Sequence, residues 1–222
     1  MPTKQSSVRL IALIGDMVQS RALSANDRAK AQREFAGLVK LLNQRFRKST
    51  ASKFVVTIGD EFQGLLHTAE VIPELIWTVE ADYAARQIRM GVGAGVLHTP
   101  IQASALNIDG PVLHEARAAI TFARDKRMLG GVFKGFGEHD AVLTGYAQVL
   151  RFMRSNWTDR QREVVGLLRE GLTQVEIAER LGVSKQAVSD HAVAAGGDAY
   201  RLGETGWRQA LRTATGIPGS DS

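Results

Sequence analysis

The chain of 222 residues contains no cysteine. That removes disulfides, thiolate metal ligands and a cysteine nucleophile from consideration, and agrees with a reducing compartment. No apolar run approaches the roughly 18 residues of a membrane helix, and the opening "MPTKQSSVR" lacks the apolar core of a signal peptide. A soluble cytoplasmic protein without a membrane partner is the expectation. No G-x-x-x-x-G-K-[ST] loop is present, so P-loop phosphate binding is excluded. His67, His98, His114, His139 and His191 form no ligand pair at helical spacing, and none stands by a serine in a triad-like setting; they read as structural or exposed. There is no internal repeat and no low-complexity tract.

What is present is an ordinary globular composition, 44% hydrophobic and 23% charged, with a formal net charge of +5. The charge is unevenly placed. Residues 1–155 hold 20 Lys and Arg against 14 Asp and Glu, and residues 156–222 hold 8 against 9. Much of the excess lies between Arg28 and Lys53. It reads first as the solvated face of a helix with a basic C-terminal turn, where cations suit the helix dipole, and second as a phosphate-binding surface.

The apolar pattern gives the elements. Val8 to Gly15 is apolar on both faces, as a covered central strand is. Phe35, Leu38, Val39, Leu42 and Phe46 fall on one helical face between about Asn26 and Lys48. Phe54–Ile58 and Phe62–Leu66 read as strands around a tight acidic turn, and a helix follows over about 68–85, with Pro73 near its regular start. In "RMGVGAGVL", Gly91, Gly93 and Gly95 leave one strand face nearly bare, which either admits a helix closely or leaves room for a ligand. "DGPVLHEARAAITFAR" is helical, with Val112, Ala116, Ile120 and Ala123 aligned. "GGVFKGFG" reads as a short strand, with Ala141–Leu143 as a pairing partner. The order is a βαββαβ unit, in which strands one and two run parallel with strand three antiparallel between them. The ends of strands one and two then share a sheet edge, where Asp16 faces the Asp60 turn. Two carboxylates there, beside Gly15 and Gly59, suit a hard divalent cation that binds phosphate oxygens, Mg2+ or Mn2+ with a nucleotide.

"IALIGDMVQSR", "TIGDEFQGLL", "RMGVGAGVL" and "DGPVLHEARAA", in that order, resemble the SatD family. They are also similar to the motif succession of class III nucleotide cyclases and GGDEF diguanylate cyclases, over about residues 8–136. The resemblance implies that Asp16 and Asp60 are metal ligands and that Gly110 and Arg117 flank the catalytic asparagine position. Arg21 and Arg117 are the candidate phosphate partners. Three departures stand against catalysis. The asparagine position is Leu113, and the base-recognising lysine is replaced by Val56 or Thr57. The glycine pair opening a diguanylate cyclase signature is Ile58-Gly59 here. One lost polar donor of this kind costs on the order of 3 kcal/mol of transition-state stabilisation, so a cyclase-like fold is expected ahead of cyclase activity.

Beyond Arg154 the pattern becomes all-helical. Thr158 and Gln161 have capping-box spacing. "TQVEIAERLGVSKQAVSDHAVAAG" resembles the helix-turn-helix of LuxR-type regulators and of the promoter-reading region of sigma factors. Ile177, Leu181 and Val188 are its core positions, and Ala178 lets the helices cross. Gly182 takes the left-handed turn and Val183 plugs beneath it, while Ser184 caps the second helix. The second helix then presents Ser184, Lys185, Gln186, Ser189, Asp190 and His191 to a major groove, with Gln186 as the preferred base reader and Lys185 as a phosphate contact. The even charge of this part speaks for the competing reading, a protein-binding module. Trp207 reads as core, with Ala210 and Leu211 on a last helix that packs on the module or pairs two chains.

The expectation is therefore an α+β protein. A ferredoxin-like, cyclase-like domain spans residues 1–154 and an all-α helix-turn-helix domain spans 155–222. Its expected role is that of a homodimeric DNA-binding transcriptional regulator whose first domain dimerises or senses a nucleotide with a divalent metal. The alternative is a metal-dependent enzyme acting on nucleoside triphosphates and localised by its helix-turn-helix.

Overall fold

The computed structural model describes residues 9–18, 24–58, 60–83 and 87–216. The elements run β1 (Leu10–Met17), α1 (Ala25–Arg45), β2 (Thr50–Ile58), β3 (Glu61–Leu66), α2 (Ile72–Asp82), β4 (Ile88–Gly95), α3 (Pro111–Asp125) and β5 (Gly130–Lys134). After a short 3-10 turn follow α4 (Asp140–Ser155), α5 (Asp159–Arg169), α6 (Gln174–Leu181), α7 (Lys185–Ala194) and α8 (Gly197–Thr215). The described residues form two compact units, one of residues up to 145 with those from 208, and one of residues 146–207.

The first unit is built on a five-stranded mixed sheet of order β2-β3-β1-β4-β5. β1 is antiparallel to both β3 and β4, β2 is antiparallel to β3, and β5 is parallel to β4. β1 and β2 therefore run parallel with β3 between them, as the element order requires. Every residue of β1 is buried, because both sheet faces are covered. Leu10, Ala12 and Ile14 face α3 and pack on Val112, Ala116 and Ile120. On the other face the Phe62 ring meets Phe35 of α1 at a tilt, centroids 5.5 Å apart, and Phe54 edge to face at 6.0 Å.

The bare strand face of β4 is filled by helix. A Cβ on Gly93 would lie 2.2 Å from the Ala116 amide nitrogen, and one on Gly91 would lie 2.5 Å from the Ala116 carbonyl oxygen. α3 thus rests backbone to backbone on β4, and of the two readings open for the three glycines the structure selects close packing. Gly15 has a packing reason too, since a Cβ there would fall 2.3 Å from the Phe62 ring.

Ala141–Leu143 is a correction. These residues are the first turn of α4 and pair with no strand. Leu143, Ala147 and Leu150 are buried at helical spacing, and a three-residue apolar run cannot by itself distinguish helix from strand.

Both rims of the sheet are engaged. Along β2, Lys53 makes a parallel bridge with Ser104, the Lys53 amide donates to the Ala103 carbonyl at 3.1 Å, and the Ser52 hydroxyl donates to the Gln102 carbonyl at 2.6 Å. On β5 the Phe133 amide donates to Thr144 Oγ1 at 3.0 Å, and just beyond it the Phe136 amide donates to Asp140 Oδ1 at 2.8 Å.

The second unit is helical. Thr158 and Thr173 each open a helix with a reciprocal capping box, to Gln161 and Glu176. Its interior holds a buried ion pair, in which Arg169 Nε and Nη2 donate to Glu204 at 2.8 and 2.5 Å with both side chains under 10% exposed. The Arg154 guanidinium donates to the Tyr200 hydroxyl at 2.6 Å, and Trp157 Nε1 donates to the Ala195 carbonyl at 2.8 Å. Trp207 is 1% exposed, a core residue as its sequence context implies. Among the described residues no helix is long and apolar enough to cross a membrane.

Candidate functional site

The β1–β3 register places Asp16 opposite Glu61, and the Met17 amide donates to the Asp60 carbonyl at 2.9 Å. The acidic ends therefore do meet, but the residue whose side chain shares the α3-facing side with Asp16 is Glu61. Side chains alternate along a strand, so Glu61 lies on the same face as Gln63 and Leu65, while Asp60 occupies the turn before β3 and is only partly buried. Gly59 and Arg21 lie outside the described residues.

Three guanidiniums surround the two buried carboxylates. Arg117 of α3 grips Glu61 with two parallel bonds, Nη1 to Oε2 at 2.5 Å and Nη2 to Oε1 at 2.7 Å. Thr57 Oγ1 adds a bond to the same carboxylate at 3.2 Å. Asp16 Oδ2 accepts from Arg89 Nη1 at 3.2 Å and from Arg124 Nη2 at 3.3 Å. Arg117 and Arg124 are seven residues apart, two turns of α3, so both reach the same sheet edge. The hydrogen bond to Glu61 raises the Arg117 pKa above its ordinary value, with burial acting the other way and the charges of Glu61 and Asp16 adding to the rise. That guanidinium stays charged at every accessible pH.

These side chains do not fit a divalent ion. A hard cation needs several open oxygen ligands in a site of net negative charge. Here both oxygens of Glu61 and one of Asp16 are committed to guanidiniums, and no group of three His, Cys, Asp or Glu able to hold a metal occurs among the described residues. The other residues expected at a nucleotide site are placed as follows. Gly110 packs against backbone, a Cβ there falling 2.7 Å from the His98 amide nitrogen. Leu113, at the asparagine position, belongs to the apolar cluster with Ile14 and Leu65. Val56 is 37% exposed.

Residues 10–203 match the model of the SatD family. The chain belongs to the SatD family. No curated protein matches this SatD-family chain. Among solved structures it is similar to a bacterial light-regulated adenylyl cyclase, at 14% identity over 56% of this chain and 42% of that one, TM-score 0.41. It is also similar to the guanylyl cyclase Cya2, at 11% identity over 51% and 70% of the two chains, TM-score 0.40. A third likeness is to the monomeric guanylyl cyclase domain of the RhoGC fusion protein from the aquatic fungus Blastocladiella emersonii, at 17% identity over 50% and 74%, TM-score 0.33. The match spans less than half the length of the light-regulated cyclase.

In the helical unit of this SatD-family protein, α5, α6 and α7 enclose one small core. Val164, Leu167, Ile177, Ala178 and Val188 are buried together, with Leu181 and Val183 packed at their edge. Gly182 ends α6 in the left-handed region at φ 64°, ψ 36°, a conformation glycine adopts without strain. Ser184 then caps α7 by accepting from the Ala187 amide at 3.1 Å. This packing turns Ser184, Lys185, Gln186 and Asp190 outward, whereas Ser189 and His191 are half-buried. Ser189 lines a cleft of about 370 Å³ with Val165, Leu168, Gln174, Val193 and Tyr200. Gln186 Nε2 donates to Asp190 Oδ1 at 2.8 Å, a contact one helical turn along α7 that no motif announces.

Proposed function

We propose that the helical unit binds duplex DNA as a helix-turn-helix, and that the protein is a DNA-binding regulator. The observation that carries this reading is the α6–α7 junction. A left-handed Gly182 and a capping Ser184 fix the angle between the helices, Ile177 and Val188 lock it from inside, and the first turn of α7 stands exposed with Lys185 and Gln186 on it. A helix presented in this way enters a major groove by its N-terminal residues. Gln186 then reads adenine by a bidentate contact and Lys185 pairs with phosphate.

Charge sets the form of the interaction. Residues 146–207 carry 8 basic against 8 acidic residues, so one helical unit gains little from counterion release. Two copies on two half-sites supply the affinity that one lacks, and the α+β unit is the part that pairs them or responds to a ligand.

Selection of bound duplexes from a random library by the intact chain tests the reading, with Lys185→Ala/Gln186→Ala as control. A recurring, two-fold symmetric motif lost in the control is the expected result. Sequence-blind binding or none refutes it, and a light-scattering mass of one chain on the selected site refutes the pairing.

A further inference from the structure

We infer that arginine takes the place of the divalent cation at the acidic edge, so that the α+β unit holds its buried carboxylates, and any anion it meets there, without metal. Asp16 and Glu61 are both about nine-tenths buried, and burial of an unpaired carboxylate is strongly unfavourable. Something cationic must stand beside each. In this chain it is a guanidinium for each: Arg117 bidentate on Glu61, and Arg89 with Arg124 on Asp16. Two buried carboxylates face three guanidiniums, and even with Asp60 counted the cluster holds no net negative charge. A divalent ion placed among them would face repulsion from three guanidiniums and would have to displace the fork on Glu61, a geometry in which arginine is at its strongest.

The placement is built into the fold. Arg89 lies on β4 opposite Asp16 in the strand register, and Arg117 and Arg124 lie on the helix that the β4 glycines hold at backbone contact. None of the three can withdraw by a loop movement. Arg117 and Arg124 remain about half exposed, at 48% and 51%, so their outer edges face solvent while their inner edges hold the carboxylates. The edge therefore presents cationic hydrogen-bond donors outward, which is the character of an oxyanion contact and the reverse of a cation site.

The test titrates the intact chain with Mn2+, following bound ion by electron paramagnetic resonance and stability by thermal unfolding, against Arg117→Ala/Arg124→Ala. The parent is expected to bind no Mn2+ and to keep its Tm. The double variant is expected to melt lower, to bind about one ion per chain, and to recover roughly 3 °C when free ion is tenfold above Kd. Arg124→Ala alone serves if the double variant does not fold, with the same direction expected. Stoichiometric Mn2+ binding by the parent, lost in Asp16→Asn, overturns the inference. So does failure of every arginine variant to gain Mn2+ binding, because the arginines would then not be what excludes the ion.

Discussion

Replacing Gly93 by alanine tests the contact on which the first unit depends. The added methyl would lie 2.2 Å from the Ala116 nitrogen, 2.4 Å from the Val112 carbonyl oxygen and 2.8 Å from the Ala116 Cα. All three atoms are α3 backbone, so no side chain can rotate aside and the helix must retreat by more than ~1 Å to restore ordinary contact. Overpacking typically costs about 1–3 kcal/mol. Retreat also loosens Val112, Ala116 and Ile120 against β1, where each is fully buried, and a radial gap of 0.5–1 Å forfeits about a quarter to a half of each contact's attraction. Alanine recovers ~0.5–1 kcal/mol of the backbone entropy that glycine loses. The net expectation is about 3 kcal/mol of destabilisation, equivalent to roughly 150-fold faster amide exchange, read by mass spectrometry on peptides from β4 and α3. Gly37 on α1 is the control. A Cβ there meets nothing within 4 Å, so Gly37→Ala should stabilise by ~0.5–1 kcal/mol. Exchange in Gly93→Ala within about threefold of the parent would refute backbone contact as the reason for the glycine.

Three further outcomes are expected. Glu204→Ala removes a carboxylate from the buried Arg169 guanidinium and should cost about 3–5 kcal/mol, measured by chemical unfolding of the helical unit's signal. Burial raises the Tyr200 pKa above the ordinary tyrosine value of 10.0. The unfolded chain thus loses that proton first, and the stabilisation present below pH 10 declines as pH rises towards the folded-state value; Tyr200→Phe should flatten this alkaline slope in a pH series of melting curves. Asp190→Ala removes a carboxylate from the exposed face of α7 and releases Gln186 from its intrahelical bond. DNA binding at fixed salt should tighten by about fivefold, or ~1 kcal/mol, and binding that does not change in a fluorescence anisotropy titration would count against α7 as the reading helix.

Much of the architecture was legible because it rests on local pattern. The apolar run of β1, the one-sided faces of α1 and α3, and the capping box at Thr158 can each be read from a window of a few residues. The α6–α7 junction was legible for the same reason, since Gly182 and Ser184 act on their immediate neighbours. Less could be read where distant parts decide. Whether Asp60 or Glu61 faces α3 depends on the β1–β3 register, and adjacent strand residues point to opposite faces. Arg89 and Arg124 reach Asp16 across 73 and 108 residues, a separation no motif spans. The one available signal was the seven-residue interval between Arg117 and Arg124 on a helix of known face. Ala141–Leu143 went astray because the apolar repeat that identifies α4 continues only at Ala147 and Leu150.

The engaged rims of the sheet have a consequence for assembly. An exposed strand edge is a template on which another chain can build, in specific oligomers and in aggregates alike. In this molecule the β2 edge is already occupied by the segment around Ser104, and on the β5 side Thr144 and Asp140 have taken the Phe133 and Phe136 amides. Lateral growth of the sheet from one copy into the next is thereby discouraged at both ends. Two copies that pair edge to edge must first displace these contacts, so association through other surfaces is the less costly course.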